Sequence, residues 1–199
     1  WAANANYVYG SSLVKNEATS SINSSNWNNM EAVDGRNYIG RTRSDFDLGH
    51  RITAYVSRKI SYLNKKMATT ITLDYVGQSG SPVSYTMTGN IGQDGVDFND
   101  LMYIPTETDL QSMVFLYQNT VPGFPSSTTD PQVIASNIAK QKELFNAFIE
   151  DDKYLSKMRG QHAERNGARL PFTNVINLGI KQDFNLTLSN KVYSFQIGY

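Results

Sequence analysis

The stretch "GNIGQDGVDFND" brings Asp94, Asp97, Asn99 and Asp100 close together in the chain. Four hard oxygen donors in so short a span can hold a Ca2+ ion. The spacing is not that of an EF-hand, because Asn90, Gly92 and Asp94 make a poor first triplet. Asn, Asp and Gly also make turns by bonding their own backbone, so a calcium-like loop and a plain turn both fit these residues. Further along, His162 and Glu164 lie two apart, with Arg159, Arg165 and Arg169 around them. That set can bind an anionic solute or tie a loop together. "GQSGS" is close to a nucleophile elbow, but Ser81 stands where G-x-S-x-G needs its second glycine. Ser79 therefore reads, with Gly77, Gly80 and Pro82, as part of a strand end. "EDD" at 150–152 reads as a run of carboxylates beginning a helix. Asn23 and Asn185 sit in N-x-[ST] sequons. No acid, base and nucleophile converge, so neither an enzymatic activity nor an organic cofactor is expected.

The elements that carry these residues follow from composition and period. The 199 residues hold 18 Lys and Arg against 18 Asp and Glu, a balance that gives no electrostatic reason to expect nucleic acid as a partner. Cysteine is absent, which excludes a disulfide framework and a thiolate metal site within this chain. No run approaches the roughly 18 apolar residues of a spanning helix. The chain opens on Trp1 rather than Met or a charged leader, and reads as a piece of something longer. Twelve Tyr and nine Phe among many Asn, Ser and Thr suit β-structure with one wet face.

Period-two alternation predicts strands at about 1–10, 46–62, 67–80, 172–188 and 191–199. From Phe46 to Tyr62 the even positions are mostly apolar and the odd ones polar. Met67, Thr69, Ile71, Leu73 and Tyr75 form the matching set after "LNKK". A turn centred on Asn64 and Lys65 pairs Ile60 with Thr69, Arg58 with Ile71, Val56 with Leu73 and Ala54 with Tyr75, so both apolar sets share a face. A one-residue slip would separate them. A Ser189–Asn190 turn likewise pairs Leu186 with Tyr193, Phe184 with Phe195 and Ile180 with Tyr199. The region 11–45 reads as an exposed loop without a period. The connection 81–171 is long enough to carry structure of its own. Within it Asp130 and Pro131 cap an amphipathic helix over about 131–150, presenting Ile134, Ile138, Phe145, Phe148 and Ile149, and "DDKYLSKM" adds a short one.

Alternating runs of well over ten residues are the length that crosses a bilayer with tilt. Phe46 and Tyr62 bracket the apolar set as aromatic girdles do. Minimal turns at 63–66 and 189–190 alternate with long connections at 11–45 and 81–171, the asymmetry of outer-membrane barrels with short periplasmic turns and long outer loops. The fold expected is all-β: a segment of a large transmembrane antiparallel β-barrel with a long, partly helical extracellular loop. Arg51, Tyr55, Asp74, Lys181 and Asp183, with Asn177, Ser194 and Gln196, then face the lumen, and the apolar set faces lipid. His50 and Arg58 fall on the lipid side near strand ends, where a charge is cheap and a long stem can snorkel. Five strands leave the count odd, so further strands are expected on both sides.

"SDFDLGHRI", "YVGQSGSPVSY", "NDLMYIP" and "RGQHAERNGARLPF" occur in an order and spacing that resemble landmarks of the barrel region of TonB-dependent outer-membrane receptors. The nearest branch carries a carboxypeptidase-regulatory-like N-terminal extension. The resemblance runs from about Ser44 to Phe184. It departs at Phe172, where Trp is expected, and in the loop at 89–100. It implies a barrel of about twenty-two strands in the outer membrane of a Gram-negative bacterium. It also implies an N-terminal plug, the TonB energy-coupling complex as a partner, a surface lipoprotein as a candidate partner, and active import of a solute. A passive porin or structural barrel shares the same patterns. A soluble β-rich glycan-binding module is the other alternative, and an outer-membrane enzyme ranks last.

Overall fold

The computed structural model describes residues 1–188 and 191–198, with side-chain positions for 1–185 and 192–198. The chain separates into two compact units. The first comprises Trp1–Leu13, Arg43–Pro82 and the chain from Arg169 onward; the second comprises Val14–Thr42 and Val83–Ala168.

The first unit is one antiparallel sheet of five strands: β1 (Ala2–Gly10), β2 (Gly49–Tyr62), β3 (Met67–Gln78), β4 (Thr173–Leu188) and β5 (Lys191–Gly198). Each strand bonds to its neighbours in chain order, giving a five-stranded meander. The described residues form no closed barrel. The central three strands run 14, 12 and 16 residues, well beyond the roughly 5–6 usual in globular proteins. The observed register pairs Val56 with Leu73, Arg58 with Ile71, Ala54 with Tyr75 and Ile60 with Thr69, as the alternation requires. Phe184 pairs with Phe195 and Leu186 with Tyr193. The expected Ser189–Asn190 turn and the partner of Tyr199 lie outside the described residues.

One expectation at a strand end is corrected. β2 begins at Gly49 rather than Phe46, because the Asp47 amide donates to the Ser44 carbonyl (3.0 Å) in a turn, and Gly49 then takes φ +64°. That conformation breaks the extended run, so Phe46 lies outside the strand. The turn after β2 is tight, with the Lys66 amide donating to the Leu63 carbonyl (3.1 Å). Leu63, Asn64 and Lys65 all adopt positive φ, at 53°, 51° and 65°. Leu63 tolerates this region poorly, and no glycine in "LNKK" announced it.

The second unit holds α1 (Asn23–Asn28), α2 (Glu107–Ser112) and α3 (Pro131–Asp151). Its core is Met102, Ile104, Ile149, Leu155 and Ala163, with Tyr85, Met87, Phe145, Tyr154 and Met158 packed against it. α3 starts as expected: Asp130 accepts the Gln132 amide (2.8 Å) and Pro131 opens the first turn. Of its expected apolar face, Ile149 is fully buried, whereas Phe148 stays largely exposed and meets Tyr85 edge-on. The short element in "DDKYLSKM" is a single 3-10 turn, Leu155–Lys157.

The reading of 11–45 as a featureless exposed loop is corrected. Met30 and Arg36 are buried, and Ala32 bridges the later connection, its amide donating to the Asn99 carbonyl (3.0 Å) and its carbonyl accepting from the Leu101 amide (3.1 Å). Two connections separated by the whole β2–β3 hairpin thus fold together. No local period records that pairing, which is why the sequence showed only polar residues there.

Candidate functional site

The sheet is the feature that sorts chemistry most sharply. Arg51, Tyr55, Asp74, Lys181 and Asp183 share one face, as their register places them: Tyr55 opposite Asp74, Asp74 opposite Asn177, and Asp183 opposite Gln196. Thr53, Ser57, Thr70, Thr72 and Ser194 lie on the same face, with Val76 and Val175 toward the end where the long connections leave. Its polar groups bond across strands, with Thr72 Oγ1 donating to Ser57 Oγ (3.2 Å). Lys59 Nζ donates to Asp183 Oδ2 (2.7 Å), and Lys181 Nζ lies 3.8 Å from Oδ1. Sequence reasoning named Asp183 and Lys181 but missed Lys59, which the same odd-position count in β2 would have supplied.

The opposite face carries Val56, Ile71, Leu73, Ile176, Leu178, Ile180, Phe195 and Ile197. Leu73 is 44 % exposed, Leu178 63 % and Ile176 68 %. Among the described residues no second sheet of this unit covers them. Apart from Arg58, which lies between Val56 and Ile60, polar groups on this face gather at its two ends. At one end Tyr62 Oη and Thr69 Oγ1 both donate to Gln182 Oε1 (3.0 and 2.7 Å). At the other, Tyr7 Oη bonds His50 Nδ1 (2.8 Å), the Tyr9 ring packs tilted against His50, and Tyr75 Oη donates to Asn174 Oδ1 (2.7 Å). The span from His50 to Tyr62 along β2 is about 40 Å, or about 30 Å perpendicular to a membrane at a tilt near 40°. That is the thickness of a bilayer's hydrocarbon core.

At the end of the sheet where the long connections leave, three segments noted in the sequence converge. The buried Asp47 carboxylate accepts the Ser12 amide (2.7 Å) and pairs with Arg169 and Arg43. Arg169 also donates to the Gly80 carbonyl (2.9 Å). Ser79 Oγ accepts the His50 amide (2.9 Å), and the Ser79 amide donates to the His50 carbonyl (2.8 Å). Ser79 is thus engaged in strand pairing. A side chain at Gly80 would run into the Leu170 carbonyl, which explains the glycine. Asp47→Ala leaves the Arg169 charge and the Ser12 amide without this acceptor, an expected loss of about 2–3 kcal/mol. Denaturant titration of the purified protein measures it, and a change within about 0.5 kcal/mol would show the clamp to be dispensable.

The other residues singled out are dispersed. Asp94 bonds Arg36, which donates through Nε (3.0 Å) and also reaches the Trp27 carbonyl (3.2 Å) and Asn28 Oδ1 (3.1 Å). Asn99 Nδ2 donates to Asp94 Oδ2 (3.1 Å). Asp100 Oδ2 accepts the Ile91 and Gly92 amides (2.8 and 3.0 Å). The calcium-like loop of Asp94, Asp97, Asn99 and Asp100 therefore spends two of its carboxylates on protein donors. Among the described residues no group of three or more His, Asp or Glu is placed to hold a metal ion. The arginines go separate ways: Arg159 to Glu150, Asn146 and the Pro105 carbonyl, Arg165 to the Lys15 carbonyl, and Arg169 to Asp47. His162 sits against the Tyr103 ring, 5.2 Å between centroids. The "EDD" run ends α3 instead of beginning a helix; Asp152 caps the following turn, accepting the Tyr154 and Leu155 amides (both 2.8 Å). Burial, then the hydrogen bond to Asp152 (2.6 Å), pushes the Tyr85 hydroxyl up to about 12. It stays protonated and donating. Helix α2, which periodicity missed, was announced by the capping box Thr106–Asp109.

Arg36 first, then Asn99, holds the Asp94 carboxyl below the usual carboxylate range. A depressed folded value stabilises above the ordinary carboxylate pKa and is lost as pH falls through the folded one. The Arg36–Asp94 tie is expected to release below about pH 4. Arg36 lies over the Trp27 ring, 5.4 Å from its centroid, so Trp27 emission in a Trp1→Phe background reports the release. Emission unchanged down to pH 2 would show that the tie does not order this region.

No protein-family model matches the chain, and comparison with curated proteins and with solved structures returns no match. Among the described residues no helix is long and apolar enough to cross a membrane.

Proposed function

We propose that this chain is a segment of a transmembrane β-barrel in the outer membrane of a Gram-negative bacterium, and that the whole barrel imports a solute with energy delivered through TonB. One observation carries the barrel reading: a single-layer sheet with long strands has one polar face and one apolar face that no other strand of its unit covers among the described residues, whose polar groups, Arg58 apart, lie at its ends. A contiguous apolar surface of that size is not stable in water and needs lipid or protein over it. The end-to-end asymmetry adds support, since both long connections leave the sheet at the Gly10, Gly49 and Gln78 end, while the tight turn lies at the Tyr62–Met67 end. β1 and β5 are each paired on one side only among the described residues, so each offers an edge to which a further strand of a larger barrel can bond.

The energised part of the reading rests on the sequence resemblance to TonB-dependent receptors. A plug, the TonB complex and a surface lipoprotein are its implied partners, and the folded second unit is the candidate region for solute capture. A passive barrel would share the sheet but not the energy dependence.

Single cysteines along β4, from Ile176 to Lys181, test the barrel reading, since the chain holds no competing thiol. In vesicles, spin labels at 176, 178 and 180 are expected to be accessible to oxygen, and those at 177, 179 and 181 to a water-soluble nickel chelate. Loss of that two-residue alternation, or partition of the protein to water without detergent, would favour the soluble module. Solute uptake that collapses on dissipating the proton gradient distinguishes active import from a passive pore.

A further inference from the structure

We infer that the cleft between α2 and α3 binds a small organic cation, an alkyl chain ending in a guanidinium or ammonium group. That such a cation is the imported solute rests on the import reading above; that the cleft binds it does not. The cleft measures about 730 Å3, within the roughly 300–1,000 Å3 of small-molecule sites. On α3 its wall is a stripe at helical spacing, Ala135, Ile138, Ala139 and Lys142. Ala135 and Ala139 lie one turn apart and are both exposed, so it is their small side chains that keep the space open. On α2 the wall is Glu107, Leu110 and Gln111, with Leu110 almost wholly buried.

The polar groups of the lining select the charge. Glu107 and Gln111 are one turn apart on α2, and among the described residues neither side chain has a hydrogen-bond or ion-pair partner. An acidic residue opening a helix also serves its dipole. Gln111 gains nothing from that, and the two together offer acceptors to a planar donor fork. Glu143 adds a second carboxylate from α3, and its exposed pairing with Lys140 (2.7 Å) is too solvated to compete strongly. Lys142, the cation of the lining, is already engaged: its Nζ donates to the Gln111 carbonyl (2.6 Å) and lies 5.7 Å from the Phe115 ring centroid. Asn146 likewise gives its Oδ1 to Arg159 (2.6 Å). An anion would therefore find no free cation in the lining, and a purely apolar ligand would strip water from Glu107 without replacing it. Among the described residues the lining also holds no aromatic ring on which a sugar could stack.

The full chain in a non-ionic detergent is titrated calorimetrically with pentylguanidinium, with its neutral isostere pentylurea and with hexanoate. Pentylguanidinium is expected to bind roughly tenfold more tightly than pentylurea, and hexanoate more weakly than either. Glu107→Gln should bring the ratio of the first two near one. Ala139→Leu, which fills the cleft, should weaken pentylguanidinium roughly fivefold or more, and Glu31→Gln, outside the lining, should change nothing. Equal affinity for pentylguanidinium and pentylurea, no binding of either, a preference for hexanoate, or an equal fall in Glu31→Gln overturns the site and leaves the barrel and import reading intact. Binding untouched by Ala139→Leu shows uptake by detergent micelles alone and overturns it too. A cation preference that persists in a chain whose spin labels show no two-residue alternation overturns the barrel reading and keeps the site.

Discussion

Leu73→Arg is expected to cost about 2–4 kcal/mol of folding stability in lipid vesicles, whereas Thr72→Arg, one residue earlier, costs well under half of that. Leu73 lies near the middle of β3, with Val56 and Leu178 as its register partners on the uncovered face. A guanidinium there has to enter hydrocarbon or distort the bilayer to escape it. Thr72 points the other way, where it bonds Ser57, and an arginine can stay hydrated on that side. Guanidinium titration of the two variants refolded into vesicles reads the difference directly. Equal costs would mean that the two faces of the sheet do not see different solvents. A stabilised Leu73→Arg would point instead to a sheet that meets water on both sides.

Ile104→Ala is expected to remove about 2–5 kcal/mol from the second unit. Ile104 is fully buried beside Ile149 and Leu155 and leaves a cavity when truncated. Its carbonyl accepts the Gly160 amide (2.7 Å), and its backbone pairs with Gln161, so the segment cannot shift freely to close the gap. Hydrogen exchange over 83–168 is expected to accelerate in the full chain, while β2, β3 and β4 keep their protection, since their amides belong to another cooperative unit. Uniform acceleration across both units would show that the chain unfolds as one. Unchanged exchange would show that the two long connections owe nothing to this core.

The sheet was the readable part of the sequence. Side chains alternate with a period of two along a strand, so matching apolar sets in "HRITAYVSRKISY" and "MATTITLDYVG" leave one register that puts both on a face. The observed ladder is that register. The lumen-side candidates followed from the same count, and all five share a face. The rim was harder. Asp47, Ser79 and Arg169 each sit in a stretch that looked distinctive, yet nothing local joins residues so far apart, and their common place emerged only from the paired strand ends. The acidic loop was ambiguous for a related reason: Asp94 reads equally as a ligand donor or a turn residue until Arg36, 58 positions earlier, is seen beside it.

Local chemistry therefore settled the strands, their faces, the tight turn after Tyr62 and the cap of α3, because each depends on residues a few places apart. Folding in three dimensions decided the rest: that two long, polar connections build a unit with its own core, that Arg36 neutralises Asp94, and that Lys142 reaches from α3 to α2 beside a cleft. Those contacts join distant stretches of chain, and the entropy of closing such loops is repaid by burial that no short window of sequence records.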